Sequence, residues 1–372
     1  MFKFRRMSVL LVLFLALALV VAGCGGKKAE EPKKDAPPEP EEFKVGFVYV
    51  GPIGDAGWTY AHDQGRLYLE NNVPGVKTFY VESVPEGADA ERVMTEMVQQ
   101  GAKVIFATSF GYMEYLINVA NKYPDVVFEH CSGYMTAPNA ANYFGKMYQA
   151  RYLSGILAGM KTESNIIGYV GAFSIPEVVR GINAFTLGVR SVNPDAKVIV
   201  SWTNTWYDPA TEKQAALALL DVGADVIAQH QDTPGPQQAA QERGKWGIGY
   251  NTDMRQFAPE ATMTSPVWNW GPYYVNVVKS VMDGTWKSHE YWGPMSDGIV
   301  DIGPFNDKLV TPEMKEKVLA AREAILKGEL DVFAGPIKDQ SGQIRVPEGA
   351  SMTDAEKLSF DWFVEGVEGK IE

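Results

Sequence analysis

The chain has 372 residues, with 34 Lys and Arg against 46 Asp and Glu, for a net charge of −12. That balance disfavours nucleic acid as a partner and leaves no basic surface for anionic lipid. Two cysteines and four histidines leave little material for a disulfide framework or a histidine-rich metal centre.

The first residues read as a targeting segment. Lys3, Arg5 and Arg6 precede the apolar run "MSVLLVLFLALALVVAG", which is short and N-terminal for a permanent membrane span. It stops at "VAGC", where small residues before Cys24 resemble a bacterial lipobox. Residues 1–23 are therefore expected to be a lipoprotein signal peptide and Cys24 the lipidated residue, with the membrane as an anchor. Residues 24–42, rich in Pro, Lys and Glu with no aromatic or β-branched side chain, read as a solvated tether.

From Phe43 onward, apolar runs alternate with amphipathic stretches. "KVGFVYV", "KTFYVESV", "KVIFATS" and "VVFEHCS" read as strands, each followed by a helix-like segment. A second series begins at "NIIGYVGAF" and continues through "KVIVSWTNTW", "DVIAQHQD" and "KWGIGYN". Near-continuous apolar strands between helices imply α/β architecture with parallel sheets covered on both faces. The length points to two doubly wound lobes. We expect the first lobe over 43–162 and 260–290, the second over 163–259 and 291–330, and a C-terminal extension over 331–372, made of a hairpin, a turn and a terminal helix.

Ligands of open parallel sheets bind beyond the carboxyl ends of the strands. Those ends carry Asp55, Trp58 and Thr59 after the first strand, Phe110 and Tyr112 in "TSFGY", and His130 in "EHCSGY". The second series contributes Trp206 in "WTNTWYDP", His230 and Asp232 in "QHQDT", and Asp253 in "YNTD"; the return segment "SPVWNWGPYY" adds Trp268 and Trp270. Aromatics at the tips of both lobes suggest a flat ligand held between rings, with polar groups reading its edge. Trp58 and Trp206 are the candidate jaws. The competing reading is that these tryptophans seal the cores of the lobes.

Other motifs fail on spacing. Gly51, Gly54 and Gly57 follow GxxGxxG rather than a phosphate-binding pattern, and Asp55 would repel phosphate. The histidines form no HExxH or Cys/His cluster, and there is no GxSxG elbow. No catalytic residue, metal or cofactor is expected. His62 reads as a surface or capping residue of an amphipathic helix, and Cys131 as a small buried residue.

The stretches "KVGFVYVGPIGDAGWTYAHDQGR", "IFATSFGYM", "FEHCSGY", "IPEVVRGINAF", "NTWYDPATE" and "WGPYY" resemble the basic membrane protein family, also called Med or PnrA-like. The resemblance spans most of Lys44 to Leu330. It implies a type I periplasmic-binding-protein fold whose two lobes are joined by three hinge crossings. It also implies a lipoprotein that delivers a purine base or nucleoside to an ABC permease and ATPase. Trp58 resembles the family's first-lobe stacking aromatic and Trp206 its second-lobe partner. Asp253 resembles the acid that reaches the ligand's polar edge, and Asp55 the loop acid after the first strand. His130 falls where the family often has an acid.

Trp268, Asn269 and Trp270 stand where nucleoside binders of the family tend to place a lysine. Bulky rings there favour a free base such as adenine over a nucleoside. The expectation is a monomeric, lipid-anchored, extracytoplasmic capture protein without enzymatic activity. A ligand sensor serving a signalling partner, a sugar binder of the same fold, and a nucleoside hydrolase or deaminase are the rivals.

Overall fold

A computed structural model describes residues 42–371. The expected signal segment, Cys24 and nearly all of the tether lie outside the described residues.

Chain order gives β1 (Phe43–Val48), α1 (Trp58–Asn72), β2 (Val76–Val81), α2 (Ala88–Gln99), β3 (Val104–Ala107), α3 (Met113–Lys122), β4 (Val127–Cys131), β5 (Ala140–Gly145) and α4 (Tyr148–Lys161). A second series follows: β6 (Ile166–Gly171), α5 (Pro176–Val192), β7 (Lys197–Trp202), α6 (Pro209–Asp221), β8 (Val226–His230), α7 (Gly235–Glu242), β9 (Trp246–Ile248) and β10 (Thr262–Thr264). Then come β11 (Pro266–Trp268), α8 (Gly271–Met282), β12 (Glu290–Gly293), β13 (Val300–Ile302) and α9 (Pro312–Leu326). The chain ends through β14 (Ile337–Lys338), β15 (Ile344–Val346), α10 (Asp354–Leu358) and β16 (Val367–Glu368).

The strands form two six-stranded parallel sheets, ordered β12-β5-β4-β3-β1-β2 and β10-β9-β8-β6-β7-β16. Helices cover both faces, so central strands such as Val104–Ala107 and Val226–His230 are buried at every residue. That burial accounts for their unbroken apolar runs. Among the described residues, the chain passes between the lobes three times. Two of the crossings pair with each other, β11 antiparallel to β13, with Val267 opposite Asp301.

Pairing assigns several segments differently from the sequence reading. β10, expected in the first lobe, lies at the edge of the second sheet, whereas β12 lies at the edge of the first. The tail is also more than an appendage. The β14–β15 hairpin and the short α10 are present, but β16 adds a parallel strand beside β7. Short edge strands carry too few residues to reveal by pattern which sheet they join.

α4 runs tightly along α5, joining the two series. A Cβ on Gly155 would lie 2.1 Å from the Phe185 carbonyl oxygen, and one on Gly188 would lie 2.1 Å from that of Tyr152. Only glycine permits this backbone approach. The seam presses the buried Arg151 of α4 into the second lobe, where its Nη1 donates to the Gln229 carbonyl at 2.6 Å.

Candidate functional site

The carboxyl ends of the two sheets face each other across a cavity. The first lobe lines it with Val50, Trp58, Ser109, Phe110 and Ser132; the second supplies Glu177, Trp206, His230, Asp232 and Tyr250. Each ends a strand, follows one or opens the next helix, the position at which this topology leaves side chains free to meet a ligand.

Trp58 owes its placement to the loop before it. The Asp55 carboxylate accepts from the backbone N–H groups of Gly57, Thr59 and Tyr60, at 2.8, 2.8 and 3.0 Å, and so fastens the first turn of α1. The Trp58 indole N–H then donates to the Thr108 carbonyl at 2.6 Å. Trp268 and Trp270 each meet its ring edge-on, with centroids at 5.8 Å, and His62 does so at 4.4 Å. These contacts fix the orientation of the ring. Trp206 is half-buried and packs edge-to-face on Phe173, at 5.0 Å.

Two polar residues of the second lobe are unusual. Asp232 is buried and its carboxylate accepts from the Asn251 amide at 3.2 Å. Burial, reinforced by the charges of Asp55 and Glu212, pushes its pKa well above the ordinary carboxylate range. His230 faces Glu177, Nε2 to Oε1 at 3.4 Å. Burial holds its pKa down to about 4, so the imidazole is neutral near pH 7. A neutral ring whose Nε2–H points at a carboxylate leaves Nδ1 as an acceptor.

Trp58, Phe110, Trp206, His230 and Asp232 are thus brought together. The remaining candidates stand elsewhere. Asp55 caps α1, and Thr59 accepts from the Gly51 N–H at 3.2 Å. Tyr112 is fully buried, donating to the Val84 carbonyl at 2.6 Å. His130 sits behind the cavity wall, with Nε2 2.7 Å from the Ser109 carbonyl oxygen. Asp253 binds its near neighbour Arg255 in two places, at 2.8 and 2.7 Å, and does not line the cavity. Trp268 and Trp270 stack on each other at 4.4 Å behind Trp58. His62, expected at the surface, is wholly buried and stacks on Trp270 at 4.5 Å.

Sequence reasoning missed Val50, Ser109, Ser132, Glu177 and Tyr250. All five adjoin strand ends that it had marked, so position was the available signal.

A profile of PnrA-like ABC transporter substrate-binding proteins matches residues 43–334. The chain belongs to that family. A purine-binding protein of Brucella abortus is 45% identical over 333 residues, which cover 89% of this chain and 94% of the relative. A Haloferax volcanii protein whose name gives glucose as its provisional ligand is 44% identical over 336 residues, 90% of this chain and 83% of that one. An ABC transporter solute-binding protein from Aeropyrum pernix superposes with a TM-score of 0.69 at 19% identity, over 79% of this chain and 94% of that one.

The fold is accordingly that of type I periplasmic binding proteins, and the family's role is substrate binding for ABC transport rather than catalysis. Such binding components work on the extracytoplasmic side of the membrane. Among the described residues, no helix is long and apolar enough to cross a membrane.

Proposed function

We propose that this protein captures a free purine base between its lobes and hands it to an ABC permease and ATPase. The observation that carries the proposal is the pairing of Trp58 from one lobe with Trp206 from the other in a single interlobe cavity. Two further rings, Phe110 and Tyr250, line the same space. Indole faces suit a planar heterocycle, and each offset stack adds about 0.5 to 1.5 kcal/mol beyond burial. Asp232 and His230 offer acceptors to the N–H groups of its edge. The name of the Brucella abortus relative supports the ligand class.

The provisional name of the Haloferax volcanii relative raises glucose as the rival. A hexose needs hydrogen bonds around its whole rim, and four of the ten lining residues here are aromatic. The preference for base over nucleoside no longer rests on Trp268 and Trp270 filling sugar space, since they stand behind Trp58. Titration with adenine against adenosine decides between base and nucleoside.

Tethering through a lipid on Cys24 completes the reading: a capture protein on a leash stays within reach of its permease. Calorimetric titration with adenine, hypoxanthine, adenosine and glucose tests the ligand. A base should bind most tightly. Tighter binding of adenosine removes the base preference, and heat from glucose alone overturns the purine reading.

A further inference from the structure

Beside the main cavity lies a second, smaller chamber, which shares the Glu177, His230 and Tyr250 walls. Its own walls include Arg151 and Gly181. Arg151 is fully buried and lies over the Tyr250 ring, with its guanidinium carbon 3.5 Å from the centroid. Nη1 is committed to the Gln229 carbonyl, whereas Nε and Nη2 have no hydrogen-bond partner among the described residues. Those two nitrogens form one edge of the guanidinium, whose parallel N–H groups grip paired acceptors.

His230 Nδ1 and the Tyr169 hydroxyl are likewise buried and without partners. All three groups converge on one point. A Cβ built on Gly181 would lie 3.7 Å from Arg151 Nε, 3.7 Å from His230 Nδ1 and 3.8 Å from the Tyr169 oxygen. Gly181 lies inside α5, where glycine is less favourable than alanine. At 3.7 Å a methyl group would not clash, so avoiding a collision does not explain the glycine. Its absence keeps open a space ringed by unsatisfied polar groups. Buried polar groups left unpaired are destabilising, so such a space favours a ligand that satisfies them.

We infer that this chamber reads the six-position of the bound purine and selects an oxopurine over an aminopurine. The inference rests on the purine reading above. An arginine fork matches the adjacent O6 and N7 acceptors of a 6-oxopurine, whereas adenine presents an amino donor in place of O6. The lactam N1–H beside O6 supplies the donor that neutral His230 Nδ1 lacks. Adenine N1 is an acceptor and would face that nitrogen lone pair to lone pair.

Calorimetry of the purified protein with hypoxanthine and adenine, which differ only in this group and its adjoining proton, tests the assignment. Hypoxanthine should bind about tenfold more tightly or better. In Gly181→Ala, whose methyl occupies the convergence point, and in Arg151→Met, the two affinities should fall within about threefold of each other. Circular dichroism checks that each variant folds; if Arg151→Met does not, Gly181→Ala still decides. Adenine binding as tightly as hypoxanthine, or a preference that survives Gly181→Ala, overturns the inference and leaves the purine reading intact. Binding of neither base overturns both.

Discussion

Gly57 of the first lobe packs its Cα directly against the Asp232 carbonyl of the second: a Cβ at residue 57 would lie 2.0 Å from that oxygen. Beside it, the Thr252 hydroxyl donates to the Ala56 carbonyl. The turn that precedes Trp58 therefore also forms the contact by which the lobes meet. Closure of a hinge protein around a ligand depends on such contacts.

Gly57→Ala should hold the lobes apart without disturbing either core. The expected outcome is a loss of ligand affinity of about tenfold or more, with a thermal midpoint close to that of the parent. Small-angle scattering should show less compaction on adding ligand. Unchanged affinity would mean that the contact is not needed for capture.

Trp206 and Trp58 should respond differently to truncation. Removing a large buried aromatic costs about 3 to 5 kcal/mol. Trp206 is half-buried at the cavity rim, so Trp206→Ala should weaken binding more than tenfold with little loss of stability. Trp58 is held by the Thr108 carbonyl and by two tryptophans. Trp58→Ala should lose both affinity and several degrees of thermal midpoint. Comparing melts with titrations for the two variants checks this split.

Stability should carry a signature of Glu212. Its carboxylate accepts from the Thr233 and Asp208 backbone N–H groups, each at 3.0 Å, yet burial raises its pKa to about 7. The folded protein thus holds this proton more tightly than the unfolded chain does. Its contribution to stability falls as pH rises from about 4.5 to 7. Glu212→Gln removes that slope, so the parent should lose more thermal midpoint than the variant between pH 5 and pH 8. Melts at both values measure the difference, and equal losses would contradict the assignment.

The α4–α5 seam should tolerate no added carbon. Gly188→Ala drives a methyl into the Tyr152 carbonyl and should cost about 1 to 3 kcal/mol. Urea denaturation should show a lower midpoint. Because Arg151 adjoins Tyr152 on α4, the helix that the added methyl would push away, the variant should also weaken ligand binding.

Truncation after Leu330 tests the tail. Arg180 donates to the Lys357 carbonyl at 2.8 Å, Asn183 donates to that of Trp362 at 2.8 Å, and β16 covers the edge of β7. Removing the tail strips partners from buried polar groups and exposes a sheet edge. The truncated protein should melt lower and aggregate, as light scattering would report.

The sequence by itself determined the alternation of apolar strands and amphipathic helices, and hence the two parallel sheets. It also placed Trp58 and Trp206 at strand ends, because strand-end position is a local property that hydrophobic runs and turn residues spell out. Asp253 misled for a local reason: Arg255, two residues on, satisfies it. Only the tertiary structure decided which sheet β10, β12 and β16 join, since strands of two to four residues fit either edge. It alone withdrew His62, Trp268 and Trp270 into the core behind Trp58, because nothing in a single aromatic shows which ring will cover it. It alone made Arg151 and Gly181 a candidate subsite. Their meaning lies in the glycine seam that presses α4 against α5, and two groups separated by a whole strand and a helix turn become neighbours only when that seam closes.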